Sequence, residues 1–130
     1  MREFSYELRV YFSDTDAEGI VYHARYLDFA EHARTEMLRA IGYNQSQMKE
    51  NGVIFVVKSM EIEYKKPAFL DDVLTVVTTA EEIKKFSAVF SQTIRRGEDE
   101  ICLIRLKVAS LSSDAKRIVP VPEHIAEVLK

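Results

Sequence analysis

The sequence contains one long segment of helical periodicity, with strand-like segments on both sides of it. Between residues 24 and 41 the apolar positions recur every three or four residues, as they do on one face of a helix. Gly42 follows and predicts the end of that helix. An apolar stripe must be buried against a second layer, and the other segments of this chain are strand-like. The stripe consists of Tyr26, Phe29, Ala30, Ala33, Met37 and Ile41.

Five strands are predicted around this helix. One precedes it, at residues 4–12, where Phe12 continues the apolar side of the alternation. Four follow it, at 53–65, 73–80, 86–95 and 101–111, and short helices are predicted at 44–51 and 122–129. The uniformly apolar run 53–57 indicates a buried strand. Short turns separate the last four strands, which predicts hairpins between chain neighbours and an antiparallel α+β architecture.

One helix can cover only one face of a five-stranded sheet. A second copy of the chain is therefore expected over the other face or along an edge strand, which makes the protein a homo-oligomer. The 130 residues are enough for one domain, 1–130, but too few for two.

The composition excludes several classes of protein. A net charge of −3 argues against a general nucleic-acid binder. No apolar run approaches the roughly 20 residues of a membrane span, and the N-terminus has no apolar core of a secretion signal. The single Cys102 cannot form an intrachain disulfide. These features predict a cytoplasmic protein without a membrane span.

The densest cluster of reactive side chains lies between the first strand and the long helix. Asp14, Asp16, Glu18 and His23 fall within ten positions. A carboxylate near a helix N-terminus can attack or deprotonate, and the free N–H groups of that terminus can stabilise a developing negative charge. The cluster therefore predicts an active site.

Two other interpretations of this acidic loop exist. Asp14-x-Asp16-x-Glu18-Gly19 matches the opening of an EF-hand, but the twelfth position requires glutamate and is Arg25 here, so calcium is disfavoured. No other metal site is predicted, because His32 and His124 have no metal-ligand spacing relative to His23. The second interpretation is structural: carboxylates cap turns and helices, and this is the preferred role for Asp14 and Glu18. For His23, structural and catalytic roles both remain open.

Three segments together resemble a known enzyme family. They are FSDTDAEGIVYHARYLDF at 12–29, Glu31-x-Ala33-Arg34-x-Glu36 on the helix, and IEYKKPAFLDD at 62–72. They resemble the hotdog-fold acyl-CoA thioesterases, in particular the 4-hydroxybenzoyl-CoA thioesterase-like group that includes the YbgC-type enzymes. The resemblance implies a five-stranded antiparallel sheet wrapped around one long central helix, and hydrolysis of acyl-CoA to free acid and coenzyme A.

The resemblance also implies roles for single residues. Asp16 would be the catalytic nucleophile or general base. The backbone N–H groups of Tyr22 and His23 would polarise the thioester carbonyl, and the His23 side chain would orient the thioester or a water. Gly19, Val21 and Tyr26 would line the substrate site. Several relatives carry tyrosine where this chain has Phe12, so no hydroxyl is available there.

Further candidates concern the two ends of the substrate. Lys58, Lys84 and Lys85, and the pair Arg95-Arg96, are candidates for the coenzyme A phosphates. No separate cofactor is expected, because coenzyme A is part of the substrate. On the helix, Glu31 is expected to pair with Arg34, and Asp28 to be exposed.

Alternatives remain at the level of class. The acyl group could be carried by acyl carrier protein, or the chain could be a non-catalytic binding module of the same fold. A dehydratase of this fold would need a different arrangement of histidine and carboxylate in the helix region. The resemblance suggests a dimer or a tetramer built from dimers.

Overall fold

The computed structural model describes residues 2–130, apart from the side chain of Gln45; Met1, the start of the predicted domain, lies outside the described residues. Its elements follow the predicted order of one strand, a long helix and four strands. In chain order they are β1 (Glu3–Arg9), a 3₁₀ turn (Phe12–Asp14), α1 (Arg25–Ala40), α2 (Gln45–Glu50), β2 (Val53–Tyr64), β3 (Val73–Ile83), β4 (Ser87–Arg96), β5 (Asp99–Ser112) and α3 (Glu123–Leu129).

The five strands form one antiparallel sheet in the order β1-β3-β4-β5-β2. The predicted α+β fold is confirmed, but the predicted hairpin between the second and third strands is wrong. The connection 65–72 instead crosses the end of the sheet, because backbone hydrogen bonds hold its first and last residues to different parts of the chain. The Lys65 N–H donates to Ile101 O at the start of β5, and the Val10 N–H, just after β1, donates to Asp72 O.

Helix α1 packs its apolar stripe on one face of the sheet. Tyr26, Phe29, Ala30, Ala33 and Met37 are all buried, as predicted. The facing side chains of the central strands are buried too, and they include Leu74, Val76, Phe90, Ile94, Ile104 and Leu106. Removal of this apolar surface from water is the main force that holds helix and sheet together.

A buried hydrogen-bond network fixes the middle of α1 to the sheet. The Gln92 Nε2 group donates to Ala30 O and to Thr78 Oγ1, both at 2.9 Å. Arg34 Nη1 donates to Gln92 Oε1, also at 2.9 Å. The expected close ion pair of Arg34 with Glu31 does not form, since within residues 2–130 no carboxylate oxygen lies within 4.0 Å of Arg34. The charge of Glu31 acts on Arg34 only from a longer distance, against the lowering of the Arg34 pKa by burial. Glu31 instead accepts a hydrogen bond from Thr35 Oγ1.

Strand β2 is an edge strand, and the prediction of a buried run there is wrong. It pairs with β5 along one side only, and Val56 and Val57 are 38% and 43% exposed. Its register shifts between Val57 and Ser59, so Lys58 lies in a bulge.

Strand β1 is shorter than predicted. It ends at Arg9 and the chain turns into the 3₁₀ segment, where Phe12 is 79% exposed instead of continuing the buried face. Among residues 2–130, no helix combines the length and apolarity needed to cross a membrane.

Candidate active site

The acidic loop is a tight hairpin. Thr15 and Val21 pair as an antiparallel bridge, and the Asp16 N–H donates to Ile20 O at 2.9 Å. The Gly19 N–H donates back to Asp16 O at 3.0 Å. Gly19 has φ +81°, in the left-handed region that favours glycine, so the turn needs glycine at this position.

The connection 65–72 holds this hairpin in place. The Val21 N–H donates to Ala68 O at 2.9 Å, and Ile20 forms a bridge with Phe69. The connection is in turn held by Arg96, whose Nη1 donates to Asp72 Oδ2 at 2.8 Å. The Phe69 N–H donates to the same oxygen at 2.9 Å. The acidic loop is thus anchored to the sheet through Asp72 and Arg96.

Replacement of Asp72 by asparagine is expected to remove part of the acid sensitivity of the fold. Partial burial alone would raise the pKa of Asp72, but the hydrogen bonds from Arg96 and Phe69 and the charge of Arg96 lower it. A carboxyl whose pKa is lower in the folded state stabilises the protein above its unfolded pKa, near 4, and this stabilisation is lost as pH falls through the folded value. Urea unfolding of wild type and D72N between pH 7 and pH 2.5 measures the effect. An equal loss of stability in both proteins would contradict it.

Asp14 has the structural role that the sequence favoured. Its Oδ2 accepts a hydrogen bond from the Tyr11 N–H at 2.8 Å, and its Oδ1 lies 3.4 Å from Arg25 Nε as an ion pair without hydrogen-bond geometry. Arg25 Nη2 also donates to Ser13 O at 3.0 Å. Arg25, which stands where an EF-hand loop would have its twelfth-position glutamate, therefore holds the acidic loop against α1. Within residues 2–130, no three His, Cys, Asp or Glu side chains are grouped so that they could hold a metal ion.

Asp16 is half-buried and only partly engaged. Its Oδ1 accepts the Glu18 N–H at 2.9 Å, which is the turn-forming role of the structural interpretation. Among residues 2–130, no donor is hydrogen-bonded to its Oδ2. The turn thus orients the carboxylate through one oxygen, and the other oxygen is available to attack a carbonyl or to take a proton. Glu18 itself is exposed.

The backbone N–H groups just before α1 differ in whether they are hydrogen-bonded. The Tyr22 N–H donates to Asp14 O at 2.9 Å, so the expectation that it polarises a carbonyl is not met in this arrangement. The hairpin closes on itself and uses that donor. The N–H groups of His23 and Ala24 have no hydrogen-bond acceptor among residues 2–130. Both precede the first turn of α1, where the partial positive charge of the helix favours an anion.

A groove of about 250 Å³ opens beside His23, the residue before Ala24. Three of the predicted residues line it: Val21, His23 and Tyr26. The other lining residues are Ile20, Tyr64, Lys65, Lys66 and Pro67, of which none was predicted as a site residue. Asp16 and Gly19 lie in the adjoining hairpin and do not line the groove. The adjacent lysines before Pro67 were the available sequence signal. Their ammonium groups pair at the rim with Glu100 at 3.2 Å and with Asp99 at 3.0 Å.

Aromatic side chains form one wall of the groove. The rings of Tyr26 and Tyr64 meet edge to face at 5.7 Å, and Tyr26 Oη accepts the Ala68 N–H at 3.3 Å. Burial raises the pKa of Tyr26. Beside Tyr64 on the neighbouring strand β5, its register partner Cys102 is fully buried, and burial raises the pKa of that thiol to about 12.

The predicted phosphate-binding lysines lie away from the groove of the same chain. Lys84 and Lys85 follow the far end of β3, which spans 11 residues or roughly 36 Å. Lys84 pairs with Glu82 at 3.3 Å. Lys58, in the β2 bulge, is six residues or roughly 20 Å from Tyr64. A single chain therefore does not bring these three lysines to the groove.

The fold and the site together define a class. An antiparallel sheet packed on one long helix carries, before that helix, an oriented carboxylate and open N–H groups beside an apolar groove. Groups of this kind can attack an acyl carbonyl and stabilise its oxyanion, which is the chemistry of an ester or thioester hydrolase.

Comparison with known proteins agrees with this class. The model of the thioesterase-like superfamily matches residues 10–129. The chain is 41% identical over 123 residues to the acyl-CoA thioesterase YbgC of Haemophilus influenzae, covering 94% of this chain and 90% of the relative. It is 45% identical over 98 residues to the acyl-CoA thioester hydrolase YbgC of Escherichia coli O6:H1, covering 75% and 73%.

Solved structures give the same result. A hypothetical protein from Aquifex aeolicus superposes with a TM-score of 0.92 at 37% identity, covering 98% of this chain and 99% of the other. A probable thioesterase from Bartonella henselae superposes with a TM-score of 0.88 at 34% identity, covering 93% and 100%. The chain belongs to the thioesterase-like superfamily, in its YbgC-type branch.

Proposed function

We propose that this protein hydrolyses an acyl-CoA thioester to the free acid and coenzyme A. The observation that carries the proposal is the Asp16 carboxylate, oriented through Oδ1 by the Glu18 N–H, in a hairpin that leads to the open N–H groups of His23 and Ala24. The names of the YbgC relatives, acyl-CoA thioesterase and acyl-CoA thioester hydrolase, support coenzyme A as the carrier.

Two routes fit these groups. In the first, an Asp16 oxygen attacks the thioester carbonyl, the C–S bond breaks, and the coenzyme A thiolate departs. The acyl group is then joined to Asp16 as an anhydride, which water hydrolyses. In the second, Asp16 takes a proton from a water molecule, which attacks the carbonyl directly; the C–S bond then breaks, and the departing coenzyme A thiolate takes up the proton. In both routes the carbonyl oxygen becomes negative, and the N–H of His23, joined by that of Ala24, stabilises it. The His23 side chain orients the thioester or the water.

Basic residues at the groove would bind the nucleotide end of the substrate. Lys65 and Lys66 stand at its rim, and their carboxylate partners are exposed in Asp99 and partly exposed in Glu100, so phosphate oxygens can replace these partners. Lys58, Lys84 and Lys85 would contribute only from a second copy of the chain.

We also infer that the protein acts as a homo-oligomer, with β2 at the interface. One side of this strand of 12 residues is unpaired, and Val56, Val57 and Tyr64 are exposed along it. An open, apolar edge strand is a template for pairing with another chain. Antiparallel pairing of β2 with β2 of a second copy covers this edge in both copies. A dimer of this kind is the unit from which a tetramer would be built.

Thiol release from a panel of thioesters tests the proposed function. The panel contains short aliphatic, long aliphatic and aromatic acyl-CoAs, and one acyl group on acyl carrier protein. The buried Cys102 thiol should react slowly with the detection reagent, so the background should be low. Release of free coenzyme A with matching acid is the expected result, and the best acyl group names the substrate class. Thiol release from the acyl carrier protein thioester alone would show that acyl carrier protein, and not coenzyme A, carries the acyl group. Binding of acyl-CoA without thiol release would identify a binding module and overturn the proposal.

A further inference from the structure

The last residue of β2 reaches across the groove to the peptide chain before α1. Tyr64 Oη donates a hydrogen bond to His23 O at 2.8 Å. Its ring lines the groove and packs against Tyr26, so the hydroxyl reaches His23 from a supported position. Within residues 2–130, Tyr64 is the one hydrogen-bond donor to the His23 carbonyl.

We propose that Tyr64 is a positioning residue for the thioesterase reaction, and that it acts by fixing the peptide group between His23 and Ala24. The proposal rests on the proposed function. A peptide group is planar, so a hydrogen bond that holds its carbonyl oxygen on one side also sets the direction of its N–H on the other. Holding His23 O therefore aims the Ala24 N–H.

The neighbouring peptide group is held in the same way by a different donor. The Arg25 N–H donates to Tyr22 O at 2.8 Å, which fixes the plane that carries the His23 N–H. The two open donors of the site thus belong to two successive peptide groups, each with its carbonyl anchored. The helix supplies one anchor through its own first turn. The sheet supplies the other through Tyr64, which couples the end of β2 to the oxyanion donors.

Such anchoring matters because these donors are useful only when they are already aimed at the oxyanion. Preorganised donors cost no reorganisation when charge develops, whereas a peptide group free to tilt must be ordered in the transition state. The phenol of Tyr64 is protonated at neutral pH and can donate, and desolvation together with Cys102 raises its pKa further.

Replacement of Tyr64 by phenylalanine keeps the ring and removes only the hydroxyl. We expect kcat for the best acyl-CoA to fall roughly tenfold, with KM within about twofold, because the aim of the donor affects the transition state more than substrate binding. The matched control is Y43F, which removes a hydroxyl that accepts a 2.9 Å hydrogen bond from Asn51 Nδ2 away from the groove. Y43F should keep wild-type kcat. A kcat of Y64F within twofold of wild type would overturn the proposal.

A measurement that needs no activity accompanies the kinetics. The amide proton of Ala24 belongs to the peptide group that Tyr64 holds, so its NMR chemical shift should change in Y64F but not in Y43F. An unchanged Ala24 amide in Y64F would overturn the positioning role. If wild type releases no thiol from any thioester, the proposed function fails, and the Ala24 amide still decides whether Tyr64 holds this peptide group.

Discussion

Replacement of Asp16 by asparagine is expected to lower kcat by about three orders of magnitude while KM for acyl-CoA changes by less than about threefold. The amide has the shape of the carboxylate, and its oxygen can still accept the Glu18 N–H, so the hairpin should keep its fold. It can neither attack a thioester carbonyl as an anion nor take a proton from water. Loss of a group that acts in the transition state lowers kcat and kcat/KM together.

The exposed carboxylate of Glu18 provides the control for this measurement. E18Q removes a negative charge from the same hairpin, two residues away, and should keep wild-type turnover. Both variants should unfold at the wild-type urea midpoint. If D16N kept turnover within tenfold of wild type, Asp16 would be neither nucleophile nor base. If E18Q lost as much as D16N, the charge of the loop rather than one carboxylate would be responsible.

Replacement of Gln92 by leucine is expected to cost about 3 kcal/mol of unfolding free energy. Gln92 is 1% exposed and takes part in three hydrogen bonds, of which two join α1 to the sheet and one joins β4 to β3. Leucine has a similar size, but it leaves the Thr78 hydroxyl and the Arg34 guanidinium without their partner in a low-dielectric region. Unsatisfied buried polar groups of this kind destabilise more than the missing bonds alone.

Urea unfolding at neutral pH measures this loss, with T93L as the control. Thr93 is the next residue of β4, and its side chain points to the other face of the sheet, away from α1. T93L should stay within about 0.5 kcal/mol of wild type, as surface substitutions usually do. A loss below about 1 kcal/mol in Q92L would show that the network does not fix the helix to the sheet.

The sequence predicted the elements better than their arrangement. Helix α1 and the strands were recognisable because burial on one face imposes a period on the residues themselves. The position of β2 in the sheet could not be recognised, because the short connection 65–72 has the length of a hairpin loop. Its path is decided by backbone bonds to Ile101 and Val10, which are distant in sequence and leave no local pattern.

The candidate site shows the same division. Asp16 and His23 could be predicted as neighbours because a hairpin carries Asp16 and leads directly to His23, so their proximity is local in the chain. Tyr64, Lys65 and Lys66 reach the groove only because the end of β2 and the connection after it meet the start of α1, about forty residues earlier in the sequence. The engagement of the Tyr22 N–H depends on how the hairpin closes on Asp14, and no property of tyrosine indicates it.

The burial of Cys102 has a consequence for self-modification. Activated acyl groups react with thiolates, and an accessible thiolate near the groove would exchange with the substrate and become S-acylated. With its pKa raised to about 12, Cys102 is ionised in on the order of one molecule in a hundred thousand at pH 7. The Cys102 thiol beside the aromatic wall is thus unreactive at pH 7, and acyl transfer from a bound thioester to this cysteine is not expected.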